Sequence, residues 1–521
     1  MRIWYMTAFA LTACVEPGVP PAPELLCQPV EISLLAELDN EAFGGEQVPQ
    51  AEHGAALGDL DGDGDLDILV AWEGGAVVVI NEGGTFVVDF DWTVDGNPLP
   101  GATSAHLADL DGDGDLDGWL GRSRDGPDLL LFQTSLGRFE SVPLLGSETG
   151  SWSGAFVDVD VDGDLDLVIG SRPWSLSGED FLSGDLDGEP NHLYLQGPDG
   201  WTEKQDAFDP ATNHGLTFQA LMLDANGDGI PDVFVANDGG HQVVPNQLLL
   251  GDGSGRFEES EDCLCDQPMY AMGAAAAAVN DDLLPDLYVT NIGPQLLLTS
   301  SGPGQYVDTT LSSGVLVSPE AAHLTSWGAG FADLDRDGWN DLWVTFGRLQ
   351  QGMNEVFGNL PGTEVGWADG DEQHSVVLRG LPGATFERLE TPEIDKVFGR
   401  GRSVAFGDLD DDGDLDVVET GKHYVRLWEV SGGCPMGLTV AVDGPPGNAH
   451  GFGTRVSVVR GDRRQTAWML PSRMHSADAP GLVFGLGVAS SADEVRVLFP
   501  DGSERILEDV PAGDLRIEWS P

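Results

Sequence analysis

The sequence predicts an all-β protein: a seven-bladed β-propeller followed by a small antiparallel β-sandwich. Three observations lead there. An acidic nine-residue phrase recurs seven times, short apolar runs flank each copy, and the pattern changes abruptly after Cys434. The first copy is Asp59-Leu-Asp61-Gly-Asp63-Gly64-Asp-Leu-Asp67, or D-x-D-x-D-G-x-x-D. Intact copies also begin at Asp109, Asp158, Asp224, Asp333 and Asp408, and a worn copy at Ala278 keeps Asn280, Asp282 and Asp286. Starts lie 50, 49, 66, 54, 55 and 75 residues apart. Self-similarity at such a period marks an array of one supersecondary unit.

Each unit has one grammar. A strand enters (Ala55-Ala-Leu57, Phe156-Val157, Phe218 to Leu223), the acidic phrase turns, and a second strand leaves, as in Ile68-Leu-Val70 or Leu342-Trp-Val344. Short apolar runs bounded by Gly and Asp read as strands. Further on come an apolar stretch and a Gly-rich turn ending in an aromatic residue, as in Val77-Val-Val-Ile80 to Phe86 and Leu129-Leu-Leu-Phe132 to Phe139. Four strands per unit are the content of a propeller blade, and closing seven into a ring removes exposed sheet edges.

The phrase itself points to a hard cation. Ca²⁺ takes six to eight oxygens, and a tight turn brings side chains one, three and five onto one point. Gly64, Gly114, Gly163, Gly229, Gly338 and Gly413 supply the permissive backbone, and a carboxylate at position nine closes the shell. The ligand sets are Asp59, Asp61, Asp63 and Asp67; Asp109, Asp111, Asp113 and Asp117; Asp158, Asp160, Asp162 and Asp166; Asp224, Asn226, Asp228 and Asp232; Asp333, Asp335, Asp337 and Asp341; and Asp408, Asp410, Asp412 and Asp416. About six Ca²⁺ ions are therefore expected. Mg²⁺ suits the loops less well because it demands a near-rigid octahedron. An EF-hand is excluded. Its twelfth position should be Glu, but Val70, Leu120, Ile169, Val235 and Val344 stand there, with only Glu419 conforming, and its flanks should be helices. One Asp-Gly stretch would be an ordinary solvated turn. Six at the same offset, each between strands, point to metal.

This grammar resembles the FG-GAP/VCBS repeats of the integrin α-subunit propeller, over roughly residues 45–433. The resemblance implies that each Ca²⁺ loop joins two strands of a blade on one face of the disc. Insertions around 175–190 and 354–372 would be loops on a face, where binding residues concentrate. Beyond Cys434, Leu438-Thr-Val-Ala-Val442, Arg455-Val-Ser-Val-Val459, Glu494-Val-Arg-Val-Leu498 and Leu515-Arg-Ile-Glu-Trp519 alternate as strands of a sandwich do. There Asn448-Ala-His-Gly451-Phe-Gly453-Thr-Arg455 resembles the N-x-x-G-x-G-x-R motif of the ASPIC/UnbV domain. Phe484-Gly-Leu-Gly487 and Phe499-Pro-Asp-Gly502 resemble its F-G-L-G and W-P-x-G motifs, with Phe499 in place of Trp. The whole is similar to the cartilage acidic protein family.

The expected organisation is a signal peptide over 1–13, a lipid-anchored tether and N-terminal strand over 14–44, the propeller over 45–434 and the ASPIC/UnbV domain over 435–521. Arg2 and the apolar stretch Ile3 to Leu11 read as a secretory signal, too short to span a bilayer in the mature protein. Leu11-Thr-Ala-Cys14 resembles a bacterial lipobox, which implies lipidation at Cys14 and an outer-membrane or cell-surface lipoprotein; an ordinary signal peptide with a coincidental Cys is the rival. Cys27, Cys263, Cys265 and Cys434 make an even count, which in an exported chain suggests disulfides. Cys27 and Cys434 flank the array, so a bond between them would staple its ends. Cys263 and Cys265 are then a local pair or a free dithiol, too few for a zinc site.

With 88 acidic against 24 basic residues and a net charge of −64, the chain lacks the clustered Lys and Arg that nucleic acid requires. Neither H-E-x-x-H, G-x-S-x-G nor a Walker loop occurs. The ten histidines keep no common offset from the acidic phrase. Trp72, Trp119, Trp152, Trp201, Trp327, Trp339 and Trp343 are better blade core than sugar platforms. The expectation is a non-enzymatic binding or adhesion module for a protein or glycan, touching membrane only through its lipid anchor. The alternative is an extracellular enzyme acting on polysaccharide through the face loops.

Overall fold

A computed structural model of the chain describes residues 27–39, 53–122, 126–174, 176, 178–184, 186–260, 263–280, 282–316, 324–347, 373–397, 399–470 and 472–520. The apolar runs become strands because β-branched and aromatic side chains fit a pleated surface packed between neighbours. Asp67–Trp72 and Asp232–Asn237, for example, are buried at every residue. Seven sheets result, each built on four strands ordered from the centre outward. The innermost strands are His53–Gly58, Ser104–Ala108, Ser151–Val157, Thr217–Leu223, Ala274–Ala277, Ser326–Ala332 and Gly401–Gly407. Each touches the next and the seventh touches the first, so the ring is closed. An apolar cluster fills every one of the seven blade interfaces. Trp119 and Trp343 lie fully buried in two of these, as core residues rather than platforms.

The outer strand of the seventh blade comes from the beginning of the chain. Glu31–Asp39 pairs antiparallel with Tyr424–Ser431, Glu31 opposite Ser431 and Asp39 opposite Tyr424. The segment expected to be tether and N-terminal strand thus supplies a strand to the ring itself. The Cys27–Cys434 disulfide sits beside this closure, where the Gln28 N–H donates to Gly433 O at 2.7 Å. Cys263 and Cys265 are bonded to each other.

After the propeller, two sheets pack face to face. Leu482–Gly487, Met436–Asp443 and Gly513–Glu518 form one; Arg463–Trp468, Arg455–Arg460, Ser491–Leu498 and Glu504–Pro511 form the other. The sandwich departs from the wholly antiparallel expectation, because Met436–Asp443 and Gly513–Glu518 run parallel, with Leu438 opposite Gly513. A parallel pair needs a long crossover, and the strands between supply it.

The sandwich does not hang free of the propeller. Residues 472–480 run into the central channel and bond to the inner strands. Ser472 Oγ donates to Gly154 O at 2.8 Å, and the Ala55 N–H donates to Ser476 Oγ at 3.1 Å. Ala477 exchanges backbone bonds with Ala55 and Leu57, at 2.9 and 3.3 Å. The Phe406 N–H donates to Asp478 Oδ1 at 3.0 Å, while Arg473 pairs with Asp478 at 2.6 Å. His475, fully buried, stands 3.1 Å from Ser104 Oγ. Met474 reaches an aromatic cluster of Trp152, Phe218, Tyr270 and Trp327 at the channel end away from the acidic loops. The protein's own chain thus occupies the channel, beside a remaining cavity of about 110 Å³.

Candidate metal centres

Each acidic loop joins the inner strand of a blade to the second strand, and the ninth residue is the first residue of that strand. Asp67, Asp117, Asp166, Asp232, Asp286, Asp341 and Asp416 all hold this place. The first Asp folds the loop around itself. Asp59 accepts the N–H of Gly62 at 2.7 Å, of Asp63 at 3.1 Å and of Gly64 at 3.1 Å. Asp109, Asp158, Asp224 and Asp408 accept from the sixth-position glycine in the same way. That glycine has φ between 86° and 104° in all six intact loops, a left-handed backbone that side chains resist.

In five loops the first, third and ninth carboxylates bring oxygens within 4.8 Å of one another: Asp59, Asp61 and Asp67; Asp109, Asp111 and Asp117; Asp158, Asp160 and Asp166; Asp333, Asp335 and Asp341; Asp408, Asp410 and Asp416. The fifth-position residues Asp63, Asp113, Asp162, Asp337 and Asp412 stand outside these clusters, their Oδ1 atoms accepting an N–H two residues on. In the fourth loop, Asn226 donates its amide to Asp228 Oδ2 at 2.9 Å, and Asp224, Asp228 and Asp232 form no such triad.

The clusters suit a cation chemically. Burial pushes the carboxyl of Asp67 up to about 6, of Asp117, Asp232 and Asp416 to about 7, and of Asp166 to about 8, against the backbone N–H bonds that pull them down. Burial likewise raises Asp158 and Asp408 to about 6. Close, half-desolvated carboxylates that hold protons this tightly also favour a divalent ion, and the two compete. Asp160 Oδ1 and Asp333 Oδ1 are buried without a hydrogen-bond partner, and both belong to clusters. All-oxygen ligands on a pliant loop fit Ca²⁺.

One role was not legible from ligand spacing. In all seven blades the ninth Asp is a clip. One oxygen accepts the N–H of loop position two and the other accepts an N–H from the third strand. Asp67 takes Leu60 and Asn81, both at 2.9 Å, and Asp286 of the worn loop takes Val279 and Ser300, both at 2.7 Å. The signal lay in the worn copy, which sheds its first Asp and its Gly yet keeps the ninth.

The loops lie on the face that receives the C-terminal sandwich. The Leu165 N–H donates to Gly447 O at 3.1 Å, the Gly485 N–H to Asp333 Oδ2 at 2.9 Å, and the Cys434 N–H to Asp335 O at 2.7 Å. Asn448 closes the turn to Phe452 with both amide atoms, each bond 2.7 Å, and Phe452 enters the core between blades two and three. The motifs read as domain signatures are thus also docking elements. Cys14 and the residues of the expected 354–372 insertion lie outside the described residues; the earlier insertion carries a short helix, Gly178–Ser183.

The FG-GAP-like repeat matches residues 59–117 and 224–289, and the ASPIC and UnbV domain matches residues 444–518. No curated protein sequence matches the chain significantly. A solved structure, described as the structural basis of specific recognition of non-reducing terminal N-acetylglucosamine by an Agrocybe aegerita lectin, is similar over 76% of this chain and 88% of that chain. Identity is 13% and the TM-score 0.34, a likeness too weak to carry an argument. With the matched repeats in the ring and the matched domain docked on its acidic loops, this is a chain of FG-GAP-like repeats ending in an ASPIC/UnbV domain.

Proposed function

We propose that the protein is an exported, calcium-binding propeller that serves as a binding or adhesion module for a protein or glycan, held at the cell surface by a lipid on Cys14. The observation that carries the reading is the set of five carboxylate clusters, each repeating the same three positions in a different blade. Metal there stiffens the loops on which the C-terminal sandwich rests, so the ions act on architecture rather than on a reaction. The docked sandwich and its plug leave the opposite face and the rim for a partner. A groove of about 540 Å³ on the rim between blades three and four offers Gln205, Asn213, Gln247 and Arg256 beside the stacked rings of Phe208 and Phe257. Its carboxylates Asp206, Asp209, Asp252, Glu258 and Glu259 favour a neutral or cationic ligand over a polyanion.

The test is binding of the purified ectodomain to glycan and protein panels in Ca²⁺ and in chelator. Calcium-dependent capture that Gln247→Ala weakens supports the module. Capture indifferent to chelator removes the role given to the metal. Release of sugar from any polysaccharide in the panel transfers the function to the enzymatic alternative.

A further inference from the structure

The third strand of each blade meets its loop at a fixed register. The residues whose N–H reaches the ninth Asp are Asn81, Gln133, Gln196, Gly251, Ser300, Gly380 and Val430. The residue just before each is Ile80, Phe132, Leu195, Leu250, Thr299, Arg379 and Glu429. Only blade six places a cation there. Arg379 Nε lies 2.7 Å from Asp335 Oδ2, and its Nη2 donates to Asp337 Oδ2 at 2.8 Å. Among the described residues no other loop has its third or fifth position ion-paired.

Loop six is further engaged from within the protein, although Asp333 Oδ1 stays without a hydrogen-bond partner. Asp335 Oδ1 accepts the Asp337 N–H at 3.0 Å, so both its oxygens are engaged. Asp333 gives one oxygen to the Gly485 N–H of the C-terminal sandwich, where the first Asp of other loops binds its own glycine. Asp333, Asp335 and Asp341 are 3%, 4% and 0% exposed while the Arg379 side chain is 35% exposed, so water screens the pair in part and its charge still counts for more than between two open-surface groups. We infer that Arg379 is the built-in counterion of loop six: the guanidinium neutralises Asp335 and Asp337, and a divalent ion enters only by displacing it. The array would then hold one site far weaker than its neighbours, at a loop that anchors the second domain, which keeps that junction intact when Ca²⁺ is scarce.

The inference rests on the calcium reading above, and its test separates the two. Arg379→Leu installs the residue found at this register in blades three and four. Native mass spectrometry at fixed free Ca²⁺ should count one more bound ion on Arg379→Leu than on wild type, with that site roughly tenfold tighter. Adding Asp335→Asn should remove the extra ion, and Arg379→Lys, which keeps a charge, should leave the wild-type count. Equal counts on wild type and Arg379→Leu would overturn the inference while leaving the calcium reading standing. No Ca²⁺ on either protein would overturn both. Should Arg379→Leu fail to fold, Arg379→Gln, which keeps polarity and length, carries the same expectations.

Discussion

Blades four and five present one hairpin with and without a full ligand set. Asp224, Asn226, Asp228, Gly229 and Asp232 in the first correspond to Ala278, Asn280, Asp282, Leu283 and Asp286 in the second. The halves they share are built alike. Asp232 accepts from Ala225 and Gly251, both at 2.9 Å, as Asp286 does from Val279 and Ser300, both at 2.7 Å. The third-position Asn accepts the fifth residue's N–H and donates to its carboxylate in both. Blade five lacks the carboxylate that accepts Gly227 and Gly229 in blade four, and Leu283 holds φ 71° where Gly229 holds 86°. On the calcium reading two functions are therefore superposed in one phrase. The ninth Asp clips the hairpin to the blade in both, while the first Asp and the glycine are the parts assigned to the cation.

The largest effect that separates the two is removal of metal. At extracellular-type affinities of ~0.1–1 mM, the five intact loops without an internal counterion at ~1 mM Ca²⁺ contribute roughly 2–7 kcal/mol, so chelator should lower the thermal midpoint markedly and Mg²⁺ should restore little of it. An unchanged melting curve would leave only the clip. Next in size is the clip itself. Asp286→Ala strands two buried N–H groups and should lose roughly 2–4 kcal/mol, equally in Ca²⁺ and in chelator. Asp232→Ala should lose as much in chelator and more in Ca²⁺, because its loop also loses the ion; urea melts of both variants in both conditions check this.

Acidity sharpens the same contrast. Asp67, Asp117, Asp232 and Asp416 are raised to between about 6 and 7 by burial. Their unfolded values are about 3.9. Without metal the folded chain binds more protons than the unfolded one, so this contribution is fully present below about pH 4 and is lost as pH rises through about 6–7. Ca²⁺ binds the ionised form. The Ca²⁺-induced rise in melting temperature should therefore grow from pH 5 to pH 8, and a constant rise across that range would count against metal at the ninth Asp.

Much of this was readable in the chain because each signal was local and repeated. The period, the flanking Ile68-Leu-Val70 and its counterparts, and the glycine at position six specified a ring of blades with loops on one face. What spacing could not carry were contacts made across hundreds of residues. That Glu31–Asp39 completes the blade of Tyr424–Ser431 depends on ring closure, which leaves no mark near either strand. The entry of Met474 and His475 into the channel is equally silent, since a buried His and Met look like any scattered pair in sequence. Arg379 stands 42 residues from Asp337, and only the blade's register brings them together.

The smallest effect is the most diagnostic. A left-handed backbone costs a branched residue such as Leu283 roughly 1–2 kcal/mol, and glycine returns part of that through greater freedom in the unfolded chain. Leu283→Gly alone should then shift stability by no more than about 1 kcal/mol. Paired with Ala278→Asp it recreates the ligand set of blade four. Ala278 is 7% exposed and Asp224 8%, so the position already suits a buried carboxylate that a cation compensates. The double variant should bind one ion more than wild type by native mass spectrometry. It should also melt below wild type in chelator, where a new buried charge is uncompensated, and at or above it in Ca²⁺. If it gains no ion, the missing Asp and glycine are not what separates the two hairpins. The difference would then lie in the third strand, where Thr299 and Ser300 of blade five replace Leu250 and Gly251 of blade four.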